Sequence, residues 1–322
     1  MLSNLLNVED LKLALRTPRG VAKVLDGVNF HIDKSEVFGL VGETGCGKTV
    51  TSLSIIGLLP KNAITSGRIV LDGEDLLKKS DSEMQDIRGK KVSMILQDPM
   101  SSLNPVFPVG EQISDIIATR NNSTKDETKK IAIDMFKSVE LPDPQTCFKL
   151  YPHELSGGML QRAAIAMALS SRPKLLIADE PTSALDVTIQ RQILELFTKL
   201  KRDFGISVLL ITHDLGVIAE ICDRVCIMYA GTVVEEASTL TLFKNAAHPY
   251  TKGLLGCVPD SSKRNKGLSY IEGFVPDMIN PPMGCRFHPR CSMASSLCSK
   301  EKPKMIDLGN NHSVACYLAI KR

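Results

Sequence analysis

Four short runs of apolar residues stand out along the first two thirds of the chain. They lie at residues 37–42, 92–97, 175–180 and 207–213, and each is about as long as one strand. Nearly continuous apolar runs of this length are typical of strands covered on both faces, as in a parallel sheet. Because segments with helical patterning separate the runs, the pattern predicts an α/β fold with a parallel-rich sheet.

Each apolar run ends in residues that can carry chemistry. A glycine-rich loop follows the first run, and the polar residues that close the other three are Gln97, Asp179 with Glu180, and His213. In open parallel sheets, ligands bind outside the carboxyl ends of the strands. Four runs that bring polar groups to one edge of a sheet therefore predict a single site.

The glycine-rich loop, GETGCGKT, matches the phosphate-binding pattern G-x-x-x-x-G-K-[ST] in full. Glycines let backbone N–H groups approach phosphate oxygens, Lys48 can reach the β- and γ-phosphates, and the Thr49 hydroxyl can bind Mg²⁺. Residues 49–59 are expected to form a helix that stops before Pro60, with an N-terminus that attracts anions. The loop residues expected to contact a nucleotide are Gly42, Glu43, Thr44, Gly45, Cys46, Gly47, Lys48 and Thr49.

The predicted site contains a cysteine and an acidic pair whose roles can be predicted. Cys46 either fills a small space or is a reactive thiol shielded by nucleotide, since a helix N-terminus can lower a thiol pKa. Asp179 is expected to hold Mg²⁺, as an acidic residue after a buried strand does in phosphate-loop enzymes. Glu180 is then placed to orient or deprotonate the attacking water.

Composition places few limits on the function. The 322 residues are enough for two domains, and 43% hydrophobic and 23% charged residues are ordinary for a globular protein. A net charge of +3 does not indicate nucleic-acid binding. No apolar stretch is long enough to span a membrane, and the start of the chain predicts a first strand and not a signal peptide. Nine cysteines without an export signal indicate a reducing cytosol.

One further motif narrows the class of protein to which this sequence can belong. The segment LSGGMLQR at 155–162 resembles the signature of ATP-binding-cassette (ABC) ATPases, with Met159 in place of the usual glutamine. Ser156, Gly157 and Gly158 open a helix, and a hydroxyl with glycine N–H groups at a helix start forms an anion site. In this family the signature of one chain closes on nucleotide held by another. The resemblance therefore implies a head-to-tail dimer that encloses two ATP molecules.

The remaining family motifs follow in order, and the resemblance covers about residues 5–240. Gln97 in LQDP resembles the Q-loop glutamine, which senses Mg²⁺ and the γ-phosphate and touches the membrane partner. SALD, which ends at Asp186, resembles the D-loop that links the two sites. His213 in ITHD resembles the switch histidine that contacts the γ-phosphate. The implied fold is a P-loop ABC ATPase core with a mixed sheet.

One feature departs from the family pattern. The family usually stacks adenine on an aromatic residue before the phosphate-binding loop, but residues 9–29 contain no aromatic side chain in the expected place. Arg19 is the nearest candidate, because a guanidinium plane also stacks on rings. The preference for ATP over GTP therefore rests on the family resemblance alone.

The sequence also predicts how the domains are arranged. Residues 1–240 form the ATPase domain, with an inserted helical subdomain at about 98–172 that resembles the part docking on transmembrane partners. QDPMSSLNPVF and YPHELSGGM resemble the peptide and nickel branch of bacterial importers. Residues 241–322 form a small extension whose Pro/Gly density predicts irregular structure. The extension, with its HPYT stretch, resembles that of dipeptide and oligopeptide permease ATPase subunits.

The extension contains a cluster of cysteines at Cys285, Cys291, Cys298 and Cys316. Disulfides are disfavoured in the cytosol, and the gaps are wider than the C-x₂₋₄-C spacing of structural zinc sites. The spacing leaves an iron–sulfur cluster, a zinc site and unligated thiols open as alternatives. The family resemblance favours a [4Fe–4S] cluster. A structural role is expected, because the extension is small and short of regular elements. The other cysteines, apart from Cys46, are expected to be ordinary buried residues: Cys147, Cys222, Cys226 and Cys257.

The resemblance implies an ATP-hydrolysing subunit that powers import of di- and oligopeptides, peripheral on the cytoplasmic face of the membrane. The implied partners are two transmembrane permease subunits, a second ABC ATPase subunit (a paralogue or a second copy) and, indirectly, an extracytoplasmic solute-binding protein. Nickel or another small solute is an alternative cargo, because other chains choose the substrate. A soluble ABC ATPase acting on ribosomes or DNA is a second alternative, against which the single cassette, the absence of a long coiled coil and the near-neutral charge all argue.

Overall fold

The computed structural model describes residues 4–121, 124–258 and 270–321 of the chain. These residues form two compact units, one from Met1–Lys78 with Ile211–Arg322 and one from Lys79–Leu210. The polar, basic segment at 260–267, which the sequence suggests as a linker, lies outside the described residues. Within the described ranges, no helix combines the length and the apolar character that crossing a membrane requires.

The described residues form strands at the four apolar runs and toward both ends of the sequence. In chain order they are β1 (Asn4–Thr17), β2 (Gly20–Asp33), β3 (Val37–Val41), β4 (Ala63–Leu71), β5 (Glu74–Asp75), β6 (Val92–Ile95), β7 (Leu175–Asp179), β8 (Ser207–Thr212), β9 (Arg224–Tyr229), β10 (Thr232–Ser238), β11 (Ile306–Asp307) and β12 (Ser313–Val314).

The helices lie between the strands, and most are found in the second unit. In chain order they are α1 (Lys48–Ile56), α2 (Asp81–Ile87), α3 (Val109–Asn121), α4 (Lys125–Ser138), α5 (Pro144–Cys147), α6 (Gly157–Leu169), α7 (Val187–Phe204), α8 (Leu215–Ile221), α9 (Thr239–Asn245) and α10 (Pro249–Cys257).

The four apolar runs form β3, β6, β7 and β8, as predicted. Every residue of β3, β7 and β8 is buried, which explains why these strands lack the alternation of a half-exposed strand. In the first unit β3 pairs with β9 in parallel, and in the second unit β6 pairs with β7 in parallel. The mixed character comes from antiparallel neighbours such as β9 with β10. The α/β fold with a parallel-rich, mixed sheet is therefore confirmed.

The N-terminal strands of the first unit form a separate antiparallel sheet in the order β2-β1-β4-β5. The long strands β1 and β2 are joined by a tight turn between Thr17 and Gly20. The start of the chain is thus a strand, as predicted, from the first described residue onward.

Helix α1 ends earlier than the sequence predicts. Gly57 adopts a left-handed conformation with φ 65°, and its N–H bonds the carbonyls of Leu53 and Ser54. This is a glycine cap, which satisfies carbonyls that the helix end would leave unpaired. Pro60 therefore lies beyond the helix and does not terminate it.

The extension begins with a helix where Pro/Gly density predicts irregular structure. Pro249 occupies the first turn of α10, where its missing N–H is not needed. The ring of His248 caps this helix by accepting a hydrogen bond from the N–H of Tyr250 at 3.0 Å. Burial, with a smaller effect of the Lys252 charge, lowers the pKa of His248 to about 4, so the ring stays neutral. Beyond this helix, residues 270–305 have no helix longer than one 3₁₀ turn and no strand, which fits the prediction.

The end of the extension is joined to the first unit through a buried carboxylate. Glu235 on β10 is fully buried and accepts hydrogen bonds from the N–H groups of Ala247 at 2.6 Å and His248 at 2.9 Å. The Nε2 atom of His312 lies 2.8 Å from the same carboxylate. Strand β12 pairs with β10 beside this contact, so it covers what would otherwise be a sheet edge.

Candidate nucleotide-binding site

Two glycines shape the backbone of the phosphate-binding loop. Gly45 and Gly47 adopt left-handed backbone angles, with φ 79° and 107°, and Gly47 begins helix α1 without any side-chain cap. The first turn of α1 contains no acidic residue. Its backbone N–H groups are therefore available to an anion, which the helix dipole also favours.

Backbone carbonyls of the phosphate-binding loop hold the Lys48 side chain. Its Nζ atom donates to the carbonyl of Gly42 at 2.7 Å and lies 3.3 Å from the carbonyl of Glu43. The side chain is buried, while Thr44 and Thr49 are exposed on the open side of the loop. A buried ammonium beside exposed loop residues is suited to binding phosphate oxygens.

Gly42 is required by close packing. A Cβ atom at this position would lie 2.2 Å from the carbonyl oxygen of Met228 and 2.6 Å from the Sγ atom of Cys46. Cys46 itself is fully buried, and burial raises the pKa of its thiol. These observations favour the space-filling interpretation of Cys46 over the reactive thiol.

Two residues of the extension contact Glu43, the second residue of the loop. The Glu43 N–H donates to the hydroxyl of Tyr250 at 3.0 Å, and the Arg290 guanidinium donates to the Glu43 carboxylate at 2.8 Å. Sequence reasoning did not place either residue at the loop, because they lie more than 200 positions away and the HPYT stretch that contains Tyr250 does not itself indicate a contact with the loop. Only the fold brings them together.

In the second unit, Gln97 and Glu180 lie side by side. The Nε2 atom of Gln97 donates to Glu180 Oε2 at 3.3 Å, and Asp179 is buried at the end of β7. Glu180 adopts a left-handed backbone with φ 47°, which is strained for a residue with a side chain. Ser183 supports this turn, since both its N–H and its hydroxyl donate to the Glu180 carbonyl. Strain of this kind is often kept at functional sites.

The signature segment and the D-loop also lie together in this unit. The Ser156 hydroxyl caps α6 at the N–H of Met159, and a Cβ on Gly158 would lie 2.8 Å from Ile189. Asp186 caps α7 by accepting from the N–H of Ile189 at 3.0 Å. Gly158 therefore allows close packing between the starts of α6 and α7.

The other two predicted site residues belong to the first unit. His213 follows β8 directly and is exposed. Arg19 lies in the turn between β1 and β2, where it pairs with Asp277 of the extension at 3.2 Å and is 80% exposed. Its stacking on adenine stays a prediction.

The four clustered cysteines surround one small cavity. Cys285, Cys291, Cys298 and Cys316 all line it, and none forms a disulfide. Burial, with smaller contributions from the neighbouring thiols, raises the pKa of Cys285 to about 11. Among the side chains that the structure describes, no three cysteine, histidine or acidic groups are arranged to hold a metal ion. The two nearby histidines have other partners, His288 the carbonyl of Cys285 and His312 the carboxylate of Glu235.

The chain is similar to known proteins over most of its length. Residues 25–183 match the family described as ABC transporter, and residues 234–298 match the C-terminal region of oligopeptide/dipeptide transporters. The dipeptide transport ATP-binding protein DppD of Bacillus subtilis is 46% identical, over 100% of this chain and 96% of its own length. The chain belongs to this family of ATP-binding proteins. The oligopeptide transport ATP-binding protein OppD of Bacillus subtilis is 45% identical, over 98% of this chain and 89% of its own length.

A solved structure supports the membership in this family. The ATP-binding cassette MJ0796, determined as a dimer in a post-hydrolysis state with ADP and phosphate, is 27% identical with a TM-score of 0.65. The match covers 73% of this chain and 98% of that cassette. The family and its cassette fold are as the sequence motifs predicted.

Proposed function

We propose that this protein is the ATP-hydrolysing subunit that powers import of dipeptides or oligopeptides through separate membrane permease subunits. The observation that carries the proposal is the combination of a complete set of cassette motifs with an extension that matches the oligopeptide/dipeptide transporter family. The names of the 46% and 45% identical relatives support peptides as the cargo.

In the proposed reaction, the phosphate-binding loop holds the triphosphate of ATP. Lys48 and the N–H groups at the start of α1 bind its oxygens, and Glu180 accepts a proton from the attacking water. The water oxygen forms a bond to the γ-phosphorus as the bond to the bridging oxygen breaks, so ADP and inorganic phosphate leave. The strained turn and the Gln97 contact hold the Glu180 carboxylate in place for this proton transfer. His213 is assigned to the γ-phosphate by its position after β8.

Mg²⁺ belongs to the same proposal. The Thr49 hydroxyl, the Gln97 amide oxygen and the Asp179 carboxylate are oxygen donors, the ligand type that Mg²⁺ prefers. When bound, the ion neutralises charge on the β- and γ-phosphate oxygens. Of these three oxygen ligands, the Thr49 hydroxyl belongs to the phosphate-binding loop itself, and Thr49 is exposed at the start of α1.

The proposed working unit is a head-to-tail pair of cassettes. Ser156, Gly157, Gly158 and Asp186 would contact nucleotide held by the partner ATPase subunit, which is a second copy or a related chain. Closure and reopening of this pair would be transmitted near Gln97 to two permease subunits, with the protein peripheral on the cytoplasmic face of the membrane. The extracytoplasmic solute-binding protein takes part only through those permease subunits. The predicted domain division at residues 240 and 241 belongs to the same proposal.

We also propose that the four cysteines of the extension bind a [4Fe–4S] cluster. A cluster of this kind takes four cysteine ligands, and the four free cysteines that line one small cavity supply that number. A cross-link of this kind would stabilise an extension that has little regular structure.

Anaerobic purification is expected to yield about four iron and four acid-labile sulfide per chain, because each iron of the cluster takes one cysteine. Replacement of Cys291 by serine is expected to remove most of this iron. The matched control is Cys257→Ser, which changes a partly exposed cysteine outside the cavity and should leave iron unchanged. About one zinc per chain, or no metal in the wild-type protein, would contradict the proposal.

The cargo is tested by uptake in a strain that lacks the gene. Labelled dipeptide uptake is expected to fall when the gene is deleted and to recover with the wild-type gene but not with Glu180→Gln. Nickel uptake measured in the same cells is expected to stay unchanged. Loss of nickel uptake with normal peptide uptake would reassign the cargo while leaving the ATPase assignment intact.

A further inference from the structure

Arg290 of the extension is fixed from several sides and ends at the phosphate-binding loop. Its Nε and Nη2 atoms donate to the carbonyls of Glu272 and Ile271, at 2.8 and 3.1 Å. Its Nη1 atom donates to Glu43 Oε2 at 2.8 Å and lies 3.3 Å from the hydroxyl of Tyr229. The side chain is 7% exposed, so this ion pair is largely shielded from solvent.

Aromatic residues close the space around the same guanidinium. Arg290 lies 5.7 Å from the ring centre of Tyr229 and 6.0 Å from that of Phe287. Both rings pack against Tyr250, whose hydroxyl accepts the Glu43 N–H. The backbone and the side chain of Glu43 are thus both held by residues outside the loop.

A second arginine of the same short segment supports the loop from another side. Arg286 is buried and donates to the carbonyls of Ala230 and Lys23. Gly231, which follows Ala230, donates its N–H to the carbonyl of Cys46 in the loop at 2.8 Å. Arg290 of the segment 285–291 therefore contacts the phosphate-binding loop directly. Arg286 of the same segment contacts the turn at Ala230, and this turn contacts the loop.

The position of Glu43 explains why its charge needs a partner. Glu43 belongs to the same loop as Lys48, and its carbonyl lies 3.3 Å from the lysine Nζ. A carboxylate without a partner on this loop would repel a triphosphate and compete with it for Lys48. Removing one member of a shielded ion pair leaves the other charge uncompensated.

We infer that Arg290 is a positioning residue for the ATP site, which neutralises Glu43 and keeps its carboxylate away from the phosphates. This inference rests on the proposed ATP site and deepens it, because it assigns part of nucleotide affinity to the extension. A purely structural role for Arg290 would stabilise the extension without any dependence on the charge of Glu43.

The test is a rescue experiment on the dissociation constant of a fluorescent ATP analogue. Arg290→Ala is expected to weaken binding by about 5–150-fold, the range of typical coupling between sites. Adding Glu43→Gln to that variant is expected to restore affinity to near the wild-type value, because the unpaired charge is gone. Arg202→Ala is the matched control: it removes an exposed arginine that pairs with Asp203, and it should change nothing.

Two results would overturn the inference: unchanged affinity in Arg290→Ala, or weakened affinity that Glu43→Gln does not restore. If Arg290→Ala does not fold, Arg290→Gln gives the same comparison, since its amide still has a donor for a backbone carbonyl. Failure of the wild-type protein to bind the analogue would count against the proposed ATP site and not against the arginine. Thermal unfolding of each variant separates loss of folding from loss of affinity.

Discussion

Replacement of Glu180 by glutamine is expected to lower the rate of ATP hydrolysis by about 10²–10⁴-fold, the usual contribution of a general base. Glutamine has the same shape but cannot accept the proton of the attacking water. It can keep the contact with Gln97, so ATP binding should persist. Because ATP then stays intact, the variant should accumulate as a closed dimer with two cassettes.

The measurement combines steady-state phosphate release with size-exclusion chromatography in ATP and Mg²⁺. Glu195→Gln is the matched control, because Glu195 is an exposed residue of α7 that pairs with Arg191. This control should hydrolyse ATP and elute like the wild-type protein. Phosphate release near the wild-type rate in Glu180→Gln would show that another group activates the water.

Replacement of Lys48 by alanine is expected to raise the dissociation constant for ATP by about 10–150-fold. The range follows from roughly 1.5–3 kcal/mol for hydrogen bonds to charged groups. In the structure the ammonium is buried, and the hydrogen bonds described for it go to the Gly42 and Glu43 carbonyls and to the Cys46 sulfur, all within the loop. The effect should fall on affinity and not on folding, since the acceptors described for Lys48 are two carbonyls and a sulfur and not a carboxylate.

Isothermal titration with a non-hydrolysable ATP analogue measures this effect directly. Lys61→Ala is the matched control, because Lys61 is exposed beyond the end of α1. Wild-type affinity in Lys48→Ala would mean that the loop binds phosphate through backbone N–H groups alone. A large fall in the unfolding temperature of Lys48→Ala would instead assign Lys48 a structural role.

The elements that the sequence predicts best are those whose physical cause is local. Strands β3, β7 and β8 are buried along their whole length, so their apolar runs could be recognised without a partner strand. The phosphate-binding loop depends on glycines and on the helix that follows, which are neighbours in sequence. Gln97 follows the partly buried strand β6 and Glu180 follows the fully buried strand β7, and the two side chains meet beyond the ends of these paired parallel strands.

The features that sequence reasoning missed are long-range side-chain contacts. Nothing near Arg290 or Tyr250 in the sequence indicates that they reach Glu43, because the contact depends on how the extension folds back. The end of α1 at Gly57 and the start of α10 at Pro249 were missed for a different reason. Each of these helix ends depends on a cap, and a count of apolar or proline residues along the sequence does not reveal a cap.

The buried carboxylate of Glu235 has a consequence for the order of events during protein synthesis. Its partner His312 is 77 residues later in the chain. At ~5–20 residues per second, the ribosome adds this length in about 4–15 s. During that interval Glu235 can bind the nearby N–H groups of Ala247 and His248 but lacks the histidine, and the edge of β10 lacks β12. The nascent cassette therefore passes through a period with an open sheet edge, when it is most exposed to pairing with other chains.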